Sequence, residues 1–322
     1  MDFQFVTPAN RTPLSEFSVP KSKLYDESMM DFLLILREHN SQRKREFATE
    51  GSLAFLSTPS PVVELTLNIC SVFELPKEVT FLAIDIFDRF VVQHTTDLWQ
   101  YSCDSSSDFK SQMKYWRRIS ARSQKQSLLR LLSCIQIASK IVLQSVALSP
   151  KHVEEYLHKS GHAYKLKSIC GSERRVFSSL GCKVPIYTIF DYIFVLLEAL
   201  LKWTNETHEL FPVCDQVLEY TYLQRDEIYK QFIWMATCRW DHSRDERIKF
   251  AEVELDQFLM ASAIIVTSIY ILNLSSIGPN EASEILSELA SVSSNDIRGL
   301  SILISQKILG EGIRSVTFKS CG

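Results

Sequence analysis

Residues Leu75–Phe90 read LPKEVTFLAIDIFDRF and say more about the fold than any other stretch of the chain. Pro76 suits the first turn of a helix, where its missing N–H is harmless, and Glu78 suits the positive end of the helix dipole. Apolar side chains follow at helical spacing on two faces. One face has Val79, Leu82, Ala83, Ile86 and Phe90, and the other has Phe81, Ile84, Phe87 and Val91. We therefore predict a helix with protein on most of its sides.

Helical periodicity also dominates the rest of the chain. The further helical runs are Leu24–His39, Val62–Phe73, Ser127–Val146, Leu166–Leu180, Ile186–Trp203, Phe211–Met235, Val253–Leu272, Glu281–Ala290 and Asp296–Leu309, with a short helix from Pro150 to Leu157. No run alternates with period two between turn signals, and nine glycines are few for a β or nucleotide-binding α/β protein. The third run of each half is the most apolar, which indicates a repeat. We predict an all-α fold.

The composition limits the class of protein. With 322 residues, 46% of them hydrophobic, the chain can bury a large core. The eight cysteines form no CxxC pair and several lie in apolar runs, which is typical of a reducing compartment. Met1–Pro20 lacks the charged and apolar regions of a secretory signal, so we expect an intracellular protein. The formal charge of −3 gives no global reason to bind nucleic acid.

The uncharged stretch Phe258–Leu274 allows two interpretations. A membrane-spanning helix needs about 20 mostly apolar residues, and this stretch includes Ser262, Thr267 and Asn273. The alternative is a central bundle helix that is apolar on every side because other helices surround it. We favour the bundle helix.

Two segments interrupt the helical pattern. Residues 1–23 carry three prolines among polar residues and are predicted to be a flexible tail. Residues 94–126 are polar and hold a basic cluster interleaved with Tyr115 and Trp116, so we expect a long loop there. Cations beside aromatic rings suit single-stranded nucleic acid, but a solvated insertion or a nuclear-import signal explains the cluster more simply.

Three stretches in order resemble the cyclin box, the five-helix repeat of the cyclin superfamily. They are LAIDIFDRFVV at Leu82–Val92, LLSCIQIASKIV at Leu131–Val142 and SERRVFSSLGCKV at Ser172–Val184. The resemblance implies a cyclin fold with tandem boxes, the second degenerate, preceded by an N-terminal helix. It divides the chain into a tail (1–23), an N-terminal helix and linker (24–57), box 1 (58–185) and repeat 2 (186–322). The chain is also similar to the cyclin N-terminal domain-containing protein 1 group, which is linked to crossover formation in meiosis.

The resemblance assigns a partner-binding pair. In cyclins a lysine on the third box helix and a glutamate on the fifth hold a helix of the partner cyclin-dependent kinase, and Lys140 and Glu173 match those positions. Apolar Ile141 and Phe177 beside them would exclude water from such a contact. The alternative is an ion pair on the surface or between helices, with no partner attached.

Other matched positions concern packing. Asp88 and Arg89 stand in the Asp-Arg-Phe signature of the box, and Leu129 matches a core leucine of its third helix. The arginine that cyclins pair with the aspartate falls at about Pro59. Asp88 therefore needs another donor, because an unpaired buried carboxylate is costly.

Two departures from the family pattern bear on function. The acidic pair that usually follows the lysine in cell-cycle cyclins is replaced by Ile141 and Val142, and the tryptophan of their substrate-docking patch falls at about Leu65. These changes predict that kinase binding is altered or absent and that substrates are not recruited through the usual patch.

No catalytic motif stands out: the chain lacks a glycine-rich phosphate loop, an HExxH zinc motif and a GxSxG nucleophile motif. We expect no enzyme activity, no cofactor and no metal. His158 and His162 stand four residues apart but have no obvious third ligand. The charged run Asp241–Arg247 is predicted to be an exposed loop.

The predicted function is therefore regulatory. One hypothesis is a cyclin-like nuclear protein, also found in the cytoplasm, that docks a cyclin-dependent kinase through box 1 during meiotic recombination and crossover maturation. The other is a kinase-independent scaffold for recombination or replication proteins. Direct nucleic-acid binding by a tandem cyclin fold conflicts with the net charge, and no membrane partner is expected. The candidate proline-directed phosphorylation sites are Thr7, Thr12, Thr58, Ser60 and Ser149.

Overall fold

The helices form two groups, each built around one very apolar helix. The computed structural model describes residues 23–50, 59–104, 108–185, 187–200 and 207–310, and within them all regular secondary structure is helical. The first group comprises α2 (Ser60–Val72), α3 (Lys77–Asp104), α4 (Phe109–Lys125), α5 (Ser127–Leu143), α6 (Pro150–Lys159) and α7 (Leu166–Ser179), with a 3-10 turn at Gln144–Val146. The second comprises α8 (Ile189–Leu200), α9 (Thr207–Leu223), α10 (Arg225–Thr237), α11 (Arg244–Glu254), α12 (Gln257–Leu272), α13 (Pro279–Ala290) and α14 (Ser294–Leu309). The predicted all-α fold is confirmed.

The central helices are α5 in the first group and α12 in the second. α5 packs against α2, α3, α4 and α7, and α12 packs against α8, α9, α13 and α14. If α4 and the pair α10–α11 are set aside, each group has five helices. The stretch Gln257–Ile269 is buried throughout, so α12 is the surrounded bundle helix that its composition favoured. The domain boundaries themselves stay a prediction.

A membrane-spanning helix must be long and apolar enough to cross the hydrocarbon core of the bilayer. In the parts of the chain that the structure describes, no single helix is long and apolar enough to cross a membrane. The pair α4 and α5, bent by 55° where the two helices meet, is long and apolar enough only when both helices are taken together, and only by length and composition.

Side-chain caps fix several helix ends. Ser149 and Asp256 stand just before α6 and α12, and each accepts a hydrogen bond from a backbone N–H of the first turn. Ser243 and Glu246 form a reciprocal capping box that starts α11. The charged run Asp241–Arg247 is therefore not a loop over its whole length, as predicted, because its second half opens this helix.

The predicted long loop at 94–126 is mostly helical. α3 continues to Asp104, and α4 occupies most of the remainder. The two helices are held side by side: Trp99 and Trp116 meet edge to face at 5.3 Å between ring centroids, and the Ser102 hydroxyl donates to the Gln112 carbonyl at 3.1 Å. The apolar spacing of α4 was hidden by six cations that lie on its other face.

The predicted single helix Phe211–Met235 is interrupted at Gln224, which leaves the helical conformation between α9 and α10. The bend directs α10 onto α14. There Phe232 lies against Gly299, and a side chain at position 299 would bring its Cβ to 3.3 Å from the Phe232 ring. The N-terminal helix also departs from its prediction, since α1 runs on to Glu50.

α3 joins the two groups, and α1 packs on the second. Leu33 and Leu36 of α1 belong to the core of the second group, and so do Phe81 and Ile84 of α3. The remaining buried apolar residues of α3, including Leu82 and Ile86, belong to the core of the first group. α3 is therefore buried on both of the faces that the sequence predicted.

Two carboxylates of α3 lie where the groups meet. Asp85 forms an ion pair with the buried Arg43 of α1 and a second one, at 3.4 Å, with Arg89. Asp88 faces the buried Arg225 of α10, with 3.8 Å between its Oδ2 and the Nη1 of the arginine. The missing first-helix arginine is thus replaced by a cation from the second group.

Arg225 is itself held in place by its surroundings. Its Nη2 donates to the Glu254 carbonyl at 2.9 Å, and its guanidinium lies 5.4 Å from the ring centroid of Tyr222 and 5.8 Å from that of Tyr229. These contacts compensate the desolvation of a buried cation. Asp88 therefore links the signature of the first box to the helices that are particular to the second group.

The Arg43–Asp85 pair gives a first prediction. We expect Arg43→Met to lower the free energy of unfolding by about 3 kcal/mol, because it leaves a buried carboxylate with too little positive charge. The double variant Arg43→Met plus Asp85→Leu should recover most of that loss. Urea denaturation measures both. Arg45→Met, on the exposed side of the same helix, is the control and should change the free energy of unfolding by less than about 0.5 kcal/mol. Equal losses in Arg43→Met and Arg45→Met would contradict a stabilising role of the Arg43–Asp85 pair.

The same pair predicts a pH dependence. Burial on its own raises the pKa of Asp85, but Arg43 and Arg89 outweigh it and hold that pKa below its usual value of 3.8. The stabilisation is complete above the pKa of the unfolded chain and is lost as pH falls through the lower folded pKa. The difference in melting temperature between the wild type and Asp85→Asn should thus be constant from about pH 5 to 7 and shrink below about pH 4. A difference that grows in acid would refute this sign.

Candidate functional site

Lys140 and Glu173, predicted from different helices, form an ion pair between α5 and α7. Lys140 lies in the last turn of α5, where a cation suits the helix dipole. The lysine side chain is 46% exposed and that of the glutamate 17%. The pair therefore lies at the surface. The Glu173 side chain is mostly covered, and the Lys140 side chain is accessible.

A groove opens beside this pair. Its volume is about 440 Å³, and its lining residues are Ile137, Lys140, Ile141, Cys170, Glu173, Arg174 and Phe177. All four residues predicted to bind a partner lie in this lining. Ile141 and Phe177 are 42% and 39% exposed, so the groove presents apolar surface to solvent between charged side chains.

A hydroxyl network sets the register of α5 against α7. The Ser133 hydroxyl donates to the Ser172 hydroxyl at 2.8 Å, and buried Arg130 donates to the same oxygen at 2.8 Å. Small side chains at 133 and 172 let the helices approach closely. Because Glu173 follows Ser172 directly, this contact holds the carboxylate opposite Lys140.

A second set of hydrogen bonds fixes the end of α5. The Ser139 hydroxyl donates to the Gln136 carbonyl at 2.9 Å and accepts from the Leu148 N–H at 3.0 Å. These bonds tie the last turn of α5 to the segment that leads into α6. Lys140 and Ile141 are therefore presented from a fixed helix end.

Two known proteins are similar in sequence to this chain. The chain is 28% identical over 249 residues to the human cyclin N-terminal domain-containing protein 1, which covers 77% of this chain and 74% of the human protein. The mouse protein of the same name is 26% identical over the same extents. The chain is therefore similar in sequence to cyclin-like proteins. No family model matches it.

The cyclin fold explains the order of the helices. The five-helix unit of the first group is α2, α3, α5, α6 and α7, so the groove lies between the third and fifth box helices. Compared with a unit of five helices, α4 is an additional helix of the first group, and α10 and α11 are additional helices of the second. The names of the relatives point to a regulatory protein rather than an enzyme.

The remaining predicted residues lie outside the groove. Leu129 is buried in the first core, and Asp88 and Arg89 face the junction described above. Leu65 is exposed on α2. Ser60 is the first residue of α2, and Ser149 caps α6. Thr7, Thr12 and Thr58 lie outside the described residues, and phosphorylation of all five stays a prediction.

Three groove residues were missed by the sequence analysis: Ile137, Cys170 and Arg174. The sequence contains the helical spacing that locates them. Cys170, Glu173, Arg174 and Phe177 follow the spacing i, i+3, i+4, i+7 of one helix face, and Ile137 stands one turn before Lys140. Extending the two predicted pairs by one helical turn finds all three.

The described residues hold no candidate metal site, and two of their buried thiols are unreactive. They contain no group of three or more His, Cys, Asp or Glu that could hold a metal ion, and both His158 and His162 are exposed at the end of α6. Burial raises the pKa of the Cys70 thiol to about 11 and also raises that of Cys134, so neither thiol is a nucleophile at neutral pH.

The exposure of the ion pair predicts that it contributes little to folding. Lys140→Ala should lower the free energy of unfolding by at most about 1 kcal/mol, because a surface pair is worth little in water. Ile169→Ala, at a buried position of α7, should cost about 2 to 5 kcal/mol. Urea denaturation compares the two. A loss above about 2 kcal/mol for Lys140→Ala would assign the pair to the fold instead of to a surface site.

Proposed function

We propose that this protein is a non-catalytic regulator that docks a helix of a cyclin-dependent kinase in the α5–α7 groove, and that it acts in meiotic recombination and crossover maturation. The observation that carries the proposal is the convergence of Lys140, Glu173, Ile141 and Phe177 on one open groove. The four residues come from two helices, and two of them, Lys140 and Glu173, match the lysine and glutamate with which cyclins hold a kinase helix.

The groove is suited to a helix. Ile141 and Phe177 supply an exposed apolar surface into which side chains at i and i+4 of an amphipathic helix fit. The ammonium group of Lys140 can donate to backbone carbonyls of the partner, and the carboxylate of Glu173 can accept from its side chains. Charged groups beside a dry apolar centre are the usual arrangement of a binding hot spot.

The meiotic part of the proposal comes from the resemblance to the cyclin N-terminal domain-containing protein 1 group. A nuclear location follows from the same proposal, since recombination takes place on chromosomes. Both are properties to be tested in cells, and neither depends on the geometry of the groove.

A second candidate function is a kinase-independent scaffold for recombination or replication proteins. The observation that favours it is the replacement of the family's acidic pair by Ile141 and Val142. The charged residues of the groove lining are then Lys140, Arg174 and Glu173, which carry a net positive charge. A basic kinase helix would be attracted less strongly to this groove than to that of a cell-cycle cyclin. The replacement of the docking-patch tryptophan by Leu65 also favours the scaffold.

The test is co-elution of the purified chain with a panel of cyclin-dependent kinases. We expect at least one kinase to co-elute, and we expect Phe177→Ser and the charge reversal Lys140→Glu plus Glu173→Lys each to weaken binding at least about tenfold. The reversal keeps the ion pair within the chain, so it changes recognition and spares the fold.

The matched control is Lys151→Glu plus Glu155→Lys on α6. It reverses two exposed charges of opposite sign outside the groove and should leave kinase binding unchanged. If no kinase co-elutes with the folded chain, the kinase proposal fails and the scaffold candidate stands. Affinity capture with the wild type and with Phe177→Ser would then identify partners that depend on the groove.

A further inference from the structure

The insertion helix α4 carries a continuous basic stripe. Its six cations are Lys110, Lys114, Arg117, Arg118, Arg122 and Lys125, and all six are exposed. At 3.6 residues per turn they lie within an arc of about 140°. They extend over about 22 Å of helix at 1.5 Å per residue.

The stripe is not neutralised by its surroundings. No Asp or Glu occurs from Phe109 to Val153, a stretch with nine Lys and Arg. None of the six cations forms an ion pair with any residue that the structure describes. Of the nearest carboxylates, Asp97 accepts from Gln93 at 2.8 Å, and Asp108 caps α4 through the Ser111 N–H at 3.2 Å.

The opposite face of α4 is held by the protein. α4 packs against α3 and α5, and the Trp99–Trp116 contact and the Ser102–Gln112 hydrogen bond fix it along α3. The stripe is therefore presented by a packed helix. A helix that packs by one face and carries only positive charges on its exposed face is suited to a polyanion.

Aromatic rings border the stripe on the side of α3. The guanidinium carbon of Arg118 lies 5.9 Å from the centroid of the Tyr115 ring, and the Tyr101 ring lies 6.1 Å from that of Tyr115. Tyr101 is 58% exposed. Part of its ring surface is therefore exposed to solvent beside the cations.

We propose that the α4 stripe, with Tyr101 and Tyr115, binds single-stranded nucleic acid. The cations contact successive phosphates, and unpaired bases stack on the tyrosines. An acidic peptide would use the cations but gain nothing from the rings, and duplex DNA keeps its bases stacked inside the helix. The combination of both features on one surface favours the single strand.

The net charge of the chain gave no reason to expect nucleic-acid binding. A charge of −3 averages over 322 residues and excludes only a uniformly basic surface. The structure gathers six cations on one side of one helix. The stripe is also separate from the α5–α7 groove, so it does not depend on kinase binding.

Fluorescence anisotropy with the full chain and a labelled oligothymidylate of about 20 nucleotides tests the proposal. The triple variant Lys114→Gln, Arg118→Gln, Arg122→Gln should bind at least about tenfold more weakly at about 50 mM salt. The slope of log affinity against log salt should fall by about 2, or about 0.7 for each lost phosphate contact. Tyr101→Ala should weaken binding at least about fivefold without changing that slope.

The matched control is Lys151→Gln, Lys159→Gln, Lys230→Gln, which removes three exposed cations from α6 and α10 and should change affinity less than about twofold. Circular dichroism should show that both triple variants keep their helix content. Four results would overturn the proposal: no binding of the oligothymidylate at about 50 mM salt, equal losses in both triple variants, tighter binding of a duplex than of its separate strands, or equally effective competition by an oligoglutamate of the same charge.

Discussion

The burial of two carboxylates on α3 is the constraint on which the arrangement of the helix groups depends. Asp85 and Asp88 stand three residues apart on a helix that is otherwise packed by apolar side chains on both faces. A buried carboxylate is stable only next to a cation, and here the cations come from other parts of the chain, Arg43 on α1 and Arg225 on α10. The two groups and the N-terminal helix must therefore meet along α3.

The groove follows from the packing of the first group. α5 is buried from Leu129 to Ser139 and becomes exposed again at its last turn, where Lys140 and Ile141 stand. The hydroxyl contacts between Ser133 and Ser172 then decide which part of α7 lies opposite that turn. The candidate docking site thus needs no loop, because two helices in fixed register supply the apolar and the charged groups.

The sequence predicted the helix class, the two central helices and the four main groove residues, because helical periodicity and the box motifs are local patterns. It failed where tertiary contacts decide. No local pattern showed the break at Gln224 or the packing of Phe232 against Gly299. The pairing of Asp88 with Arg225 joins residues that are 137 positions apart in the chain. The insertion α4 was misread as a loop because its cations hid the apolar spacing of Met113, Trp116 and Ile119.

The last of these failures also shows why net charge is a weak guide to partners. Electrostatic attraction falls off over about 10 Å at ordinary salt, so a ligand responds to the charges within that distance and not to the sum over the chain. Around α4 the ligand meets six cations without paired carboxylates, whereas in the groove it meets two cations and one carboxylate around an apolar centre. One weakly acidic chain therefore presents two surfaces that differ in charge and polarity. In the two proposals, the groove selects by shape and apolar contact, and the stripe selects by charge and stacking.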